Sequence, residues 1–186
     1  VASELHVGST FAFFIKTRHT EAPVIASLQN LTLQQKRQTD PTHATKKSDI
    51  NILVVEDNAV NQKLLRQQLS KHGFTVTTAD NGVDCLSHIQ KTKHWRANVS
   101  TSAPSVEVIL MDIEMPLMDG LQATREIRKF EKEGKLTGHV PIIAVSANAR
   151  QEQRDLAMDA GMDDSISKPF RIAELVPKIE RLAGWT

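Results

Sequence analysis

The stretch VILMDIEMP (residues 108–116) decides how the chain is read. Four apolar residues (108–111) run straight into Asp112, and a second acid, Glu114, follows two places later. A short apolar, β-branched run with no polar alternation is the pattern of a strand buried on both faces. A buried strand ends on a carboxylate only where that end of the sheet has a use for negative charge.

The same texture recurs on either side. Upstream, NILVVED (51–57) is a second buried run that ends in two acids, Glu56 and Asp57. It leads into NAVNQKLLRQQLSKHG (58–73), where apolar residues return at helical spacing, Val60 with Leu64 and Leu65 with Leu69. Asn58 is the expected N-cap of that helix and Gly73 its stop. FTVTTA (74–79) reads as a strand, NGVDCLSHIQK (81–91) as a shorter helix, and the polar stretch 92–105 as a loop containing Trp95. Downstream, GLQATREIRKFEKEG (120–134) is a helix, VPIIAVSA (140–147) a strand, RQEQRDLAMDAG (150–161) a helix, DSIS (164–167) a short strand and IAELVPKIERLA (172–183) the last helix. Pro177 lies inside that helix and is expected to kink it or delay its start.

Five strand–helix units in strict alternation imply an α/β domain, a parallel sheet with helices on both faces. The pattern leaves the strand order open. It does place the polar residues that end the strands along one edge: Glu56 and Asp57, Asp112, Ser146 and Lys168. In open parallel sheets, ligands bind beyond the carboxyl ends of the strands.

Three acids gathered there repel one another unless a cation joins them. Mg²⁺ suits an all-oxygen set of one or two carboxylates completed by water and phosphate. Lys168 and the Ser146 hydroxyl then match the remaining oxygens of a phosphoryl group, since charge neutralisation and positioning are what phosphoryl transfer needs from a protein. A carboxylate can be the nucleophile and form an acyl phosphate, and Asp112 is the choice for that role.

Composition excludes little. The 186 residues carry a net charge of +1, which points to neither nucleic acid nor a membrane surface. A single cysteine, Cys85, allows no intrachain disulfide and fits a reducing, cytoplasmic setting; its place in a helix reads as core. The longest apolar run near the start, FAFFI (11–15), is far short of the roughly 20 residues of a membrane span. Residues 20–48 are rich in Gln, Thr and Lys, hold Pro41 and read as a flexible linker. The chain opens on Val1 rather than Met, as a fragment of a longer protein would.

Taken in order, VVEDN (54–58), ILMDIEMPLMDG (109–120), IIAVSANA (142–149) and SKPF (167–170) resemble the receiver domain of two-component response regulators, above all those at the C-terminus of hybrid sensor histidine kinases of fungal type. The resemblance spans residues 49–186. It implies a flavodoxin-like, doubly wound five-stranded parallel sheet of order 2-1-3-4-5 with five flanking helices. Asp112 would be the phospho-acceptor, and Glu56 and Asp57 the acid pocket, with Asp57 nearest the Mg²⁺. The backbone carbonyl of Glu114 would complete the metal's shell, Ser146 would be the switch hydroxyl and Lys168 the phosphate-binding lysine, followed by a cis bond to Pro169. The partners would be a histidine-kinase core as phosphodonor and a histidine phosphotransfer protein as acceptor. One position departs from the family: three residues before the lysine, where an aromatic residue is common, stands Ser165, and the chain has no Tyr.

SELHVGSTFAFFIK (3–16) is similar to the closing hairpin of a histidine-kinase ATP-binding domain, so residues 1–19 would be a remnant of that domain. No ATP-dependent kinase activity is expected of this chain. Two other readings of the acid edge stay open at this level. One is a receiver-like binding module that no longer cycles; the other is a Mg²⁺-dependent phosphatase with an aspartyl nucleophile.

Overall fold

A computed structural model describes residues 2–4, 8–10, 49–98, 100, 102–147 and 150–184. The chain divides into two units, Val1–Pro41 and Thr42–Thr186. In the first, Ala2–Glu4 (β1) pairs antiparallel with Gly8–Thr10 (β2), Ser3 opposite Ser9. Most of the stretch 3–16 read as a closing hairpin, and the linker at 20–48, lie outside the described residues.

The second unit alternates strand and helix as the apolar runs dictate: Asn51–Val55 (β3), Ala59–Lys71 (α1), Thr75–Ala79 (β4), Gly82–Ile89 (α2), Val108–Asp112 (β5), Gly120–Lys132 (α3), Ile142–Ser146 (β6), Gln151–Asp159 (α4), Asp164–Ser167 (β7) and Ile172–Leu182 (α5). All neighbours in its sheet are parallel, in the order β4-β3-β5-β6-β7. Counted within the sheet this is 2-1-3-4-5, the order the resemblance implies.

Alternate residues of each strand serve opposite faces, as a pleated strand requires. Leu53, Val55, Ile109 and Met111 pack with Cys85 and Ile89 of α2 and Ala123 and Ile127 of α3. Ile52, Val54, Val108 and Leu110 pack with Leu65 and Leu69 of α1 and Leu175 and Ile179 of α5. Cys85 is core, as expected, and burial pushes its thiol up to about 12.

Helix ends match the local chemistry. Asn58 caps α1 by accepting from the backbone N–H groups of Val60 and Asn61, and Gly73 follows its C-cap at φ 93°, a left-handed conformation that favours glycine. Because Asn58 takes the cap, Asp57 is free for other work. α5 runs through Pro177, and starts at Ile172 with no delay; the proline leaves the Ala173 carbonyl without its helical donor. Trp95 packs edge-on against Phe130, ring centroids 5.2 Å apart, and pins the long loop to the end of α3.

Leu65 and Leu69 are buried, but Val60 and Leu64 are 74% and 53% exposed. Helical spacing puts residues on a shared face without saying that anything covers it. These two lie in the first two turns of α1, nearest the carboxyl edge of the sheet, where Val60 is largely open and Leu64 is covered only in part, at the wall of a hollow.

Candidate active site

The carboxyl edge gathers the residues that end the strands. Glu56 follows β3 and is buried at 4% exposure; Asp57 beside it is exposed. Asp112 is the last residue of β5, in register with Val145, and is 7% exposed. Carboxylate oxygens of Glu56, Asp57 and Asp112 lie within 4.8 Å of one another. This is an all-oxygen, all-anionic donor set, which fits a hard divalent cation such as Mg²⁺.

Lys168 enters from the far side. Its ammonium donates to Asp112 Oδ2 at 2.5 Å and to Glu56 Oε2 at 2.7 Å. Its backbone N–H donates to the Ser146 carbonyl at 2.7 Å, and its peptide bond to Pro169 is cis, as expected. Ser146 ends β6 opposite Ser167 and is 5% exposed. The other Asp112 oxygen, Oδ1, accepts the Glu114 backbone N–H at 3.2 Å, while the Glu114 side chain is exposed.

The electrostatics follow from this crowding. Burial raises the Asp112 carboxyl above the ordinary carboxylate range, and the neighbouring Glu56 adds to the effect; Lys168 and the Glu114 N–H offset part of it. Burial opposes the charge on Lys168, but hydrogen bonds and attraction to Asp112 and Glu56 outweigh it, so its ammonium is held more tightly than usual.

The loop after β5 is braced from below. The Gly120 N–H donates to the Ile113 carbonyl at 3.0 Å, and a Cβ on Gly120 would stand 2.1 Å from the Asp112 carbonyl oxygen. Only glycine lets α3 start this close to the strand end. At the loop's tip Leu117 takes φ 67° and is 86% exposed.

Two flanking hollows complete the site. One, of about 270 Å³, runs between α1 and the segment after Lys168; Leu64, Leu65, Val145 and Phe170 wall it, and Glu56, Asn61 and Lys168 open into it. The other, of about 350 Å³, lies on the α4–β7–α5 side, lined by Ser146, Arg154, Ser165 and Lys178 among others. Ser165, in place of an aromatic residue, contributes little bulk there.

The structure thus brings Glu56, Asp57, Asp112 and Lys168 into one cluster and sets Ser146 beside it, bonded to Lys168 through the main chain. It adds two residues that sequence reasoning missed. Asn61 donates to Glu56 Oε1 at 2.9 Å, and Gln62 donates to the carbonyls of Glu56 and Ala79 and to Asp80 Oδ1. In sequence both are ordinary polar residues of an amphipathic helix.

A doubly wound sheet with this edge has close counterparts. The family model described as "Response regulator receiver domain" matches residues 52–180. The chain belongs to that family. Hybrid signal transduction histidine kinase I of Dictyostelium discoideum is 40% identical over 120 residues, which is 64% of this chain but 6% of that protein. This receiver chain therefore spans a small fraction of the curated relatives it matches. Among solved structures, the receiver domain of sensor histidine kinase PA1611 from Pseudomonas aeruginosa, with a magnesium ion coordinated in its active-site cleft, is 37% identical (TM-score 0.59; 73% of this chain and 98% of that one). The receiver domain of Ssk1, solved with the histidine phosphotransfer protein Ypd1 of Saccharomyces cerevisiae, is 27% identical (TM-score 0.64; 75% and 92%). Among the described residues, no helix is long and apolar enough to cross a membrane.

Proposed function

We propose that this receiver takes a phosphoryl group from a phosphohistidine onto Asp112 and relays it to a histidine phosphotransfer protein. The observation that carries the reading is the Lys168 ammonium bonded to Asp112 inside a cluster of three carboxylates. Asp57, Asp112 and the Glu114 carbonyl would hold Mg²⁺, with Glu56 completing the acid pocket. Bound there, the ion supplies positive charge that offsets the carboxylates and the incoming phosphoryl oxygens.

The residues of the chain then divide the work. An Asp112 oxygen forms the O–P bond as the P–N bond of the donor breaks, and the electron pair stays on the donor's ring nitrogen. Lys168 turns from the carboxylate to a phosphoryl oxygen, and the Ser146 hydroxyl donates to another. Val60 and Leu64, exposed at the rim of the site, offer an apolar face that a helical partner can cover. The Ypd1 complex of a related receiver supports a partner of that class.

For the remainder of the chain, residues 1–19 are read as the end of a kinase ATP-binding domain, which the β1–β2 hairpin supports, and 20–48 as a linker to the receiver at 49–186. The setting is cytoplasmic, and this chain by itself phosphorylates nothing from ATP.

The test is incubation with Mg²⁺ and a small phosphoramidate donor, followed by intact mass measurement. A gain of one phosphoryl group that disappears in Asp112→Asn is the expected result. No gain in the unsubstituted chain, or catalytic turnover of a generic phosphomonoester, overturns the reading.

A further inference from the structure

We propose that Asn61 is a positioning residue for the phosphoryl-accepting site and acts through Glu56; the proposal rests on the receiver reading above. Glu56 is buried, and its two oxygens have different partners. Oε1 accepts from Asn61 Nδ2 at 2.9 Å, and Oε2 accepts from the Lys168 ammonium at 2.7 Å.

The main chain at Glu56 is secured without Asn61. The Glu56 N–H donates to the Ala79 carbonyl at 3.1 Å, and the Glu56 carbonyl accepts from Gln62 Nε2 at 3.2 Å. What Asn61 controls is therefore the rotation of the carboxylate. With Oε1 held, Oε2 faces Lys168 and the ammonium stays between the two acids.

Asn61 is itself fixed. It is the third residue of α1, and its backbone N–H is capped by Asn58 Oδ1 at 3.2 Å. A chain of contacts thus runs from the helix cap through Asn61, Glu56 and Lys168 to Asp112, every link a hydrogen bond. When Asp112 takes a phosphoryl group, Lys168 has to change partners on that side. Glu56, kept in place by Asn61, is the anchor on the other side, so the ammonium pivots toward the phosphoryl oxygen instead of swinging out to solvent. The plainer role for Asn61, a polar residue that satisfies one buried lone pair and adds stability alone, predicts no effect on the reaction beyond the fraction folded.

The experiment is a double-mutant cycle with Asn61→Leu and Glu56→Ala, backed by a measurement on metal-free protein. At saturating Mg²⁺ and phosphodonor, Asn61→Leu is expected to slow phosphoryl uptake about tenfold, and less than about twofold when Glu56→Ala is already present. Half-saturating Mg²⁺ is expected to stay within about twofold, since Asn61 bonds Glu56 and neither Asp57 nor Asp112, the two carboxylates that would hold the ion. In ¹⁵N-labelled, metal-free protein, the Asn61 side-chain amide is expected to exchange slowly and to lose that protection in Glu56→Ala. Uptake by the unsubstituted chain with an unchanged rate in Asn61→Leu overturns this proposal alone. So does an equal loss in both backgrounds, or an Asn61 amide indifferent to Glu56→Ala. Absence of any uptake by the unsubstituted chain overturns the receiver reading, and this proposal with it.

Discussion

The Lys168 ammonium stands 2.5 Å from Asp112 Oδ2, although 56 positions separate the two in the chain. Their strands, β7 and β5, are not neighbours; β6 lies between them, and the lysine side chain reaches over its end. The pair exists because a parallel sheet brings every carboxyl end to one edge, where a four-carbon stem spans the gap. Removing the charge separates its two effects. Lys168→Met keeps the stem and loses the ammonium. Phosphoryl uptake is expected to fall about 100-fold, as for other single donors to a reacting oxygen. Mg²⁺ binding, measured by calorimetry, is expected to tighten several-fold, because the carboxylates lose their fixed counter-charge.

The exposed Asp57 has no other structural duty, since Asn58 caps the helix. Its carboxylate is the test of the metal. Saturating Mg²⁺ at about 100 times its dissociation constant stabilises a protein by about 2.7 kcal/mol through mass action. Thermal melts of the unsubstituted chain are expected to rise accordingly on adding Mg²⁺. The rise is expected to vanish at the same concentration in Asp57→Asn, with the metal-free melting temperature not lowered.

Gly120 leaves no room for a side chain. A Cβ would meet the Asp112 carbonyl oxygen at 2.1 Å and Met111 Cγ at 2.9 Å, so either α3 or the strand end must shift. Gly120→Ala is expected to lose about 2 kcal/mol or more in denaturant melts, at the upper end of what overpacking costs. Phosphoryl uptake is expected to drop in the fraction that stays folded, because the displaced atom belongs to the nucleophile's own backbone.

Asp164, at the start of β7, supplies a pH dependence outside the acid cluster. Burial works against its charge. The Lys178 ammonium at 2.7 Å, the Ser165 N–H at 2.7 Å and the Arg181 guanidinium together outweigh that and hold the carboxyl below the ordinary range. The unfolded chain then binds more protons in acid, so this contribution is present in full above about pH 4, the unfolded value, and is lost as pH falls through the lower folded one. At pH 7, Asp164→Asn is expected to melt below the unsubstituted protein. The gap is expected to close as the pH drops below about 4. A gap that persists unchanged at low pH contradicts the assignment.

How much was legible beforehand differs between elements and contacts. The strands around Leu53, Leu110 and Ile143 announce themselves as apolar runs, and the caps at Asn58 and Gly73 are local chemistry, readable one turn at a time. The acids at 56, 57 and 112 declared an anionic edge because each sits where its strand stops. Which apolar residues of α1 are covered, Leu65 and Leu69 rather than Val60 and Leu64, was not legible, since a periodic stripe gives direction and not depth. Asn61 and Gln62 carried no signal: an amide on a helix surface looks the same whether or not a buried carboxylate lies within reach.

The sequence by itself determined the alternation of strand and helix, and which polar side chains stand at the carboxyl ends, because both depend on neighbours along the chain. The strand order came only by resemblance. Tertiary structure decided that Glu56 Oε2 and Asp112 Oδ2 share one ammonium, that the other Glu56 oxygen belongs to Asn61, and that α3 begins against the Asp112 carbonyl. Those contacts depend on how crossovers stack the strands and on where each helix end falls, to within an ångström. Spacing along the chain does not encode distances between residues that meet only after the sheet has formed.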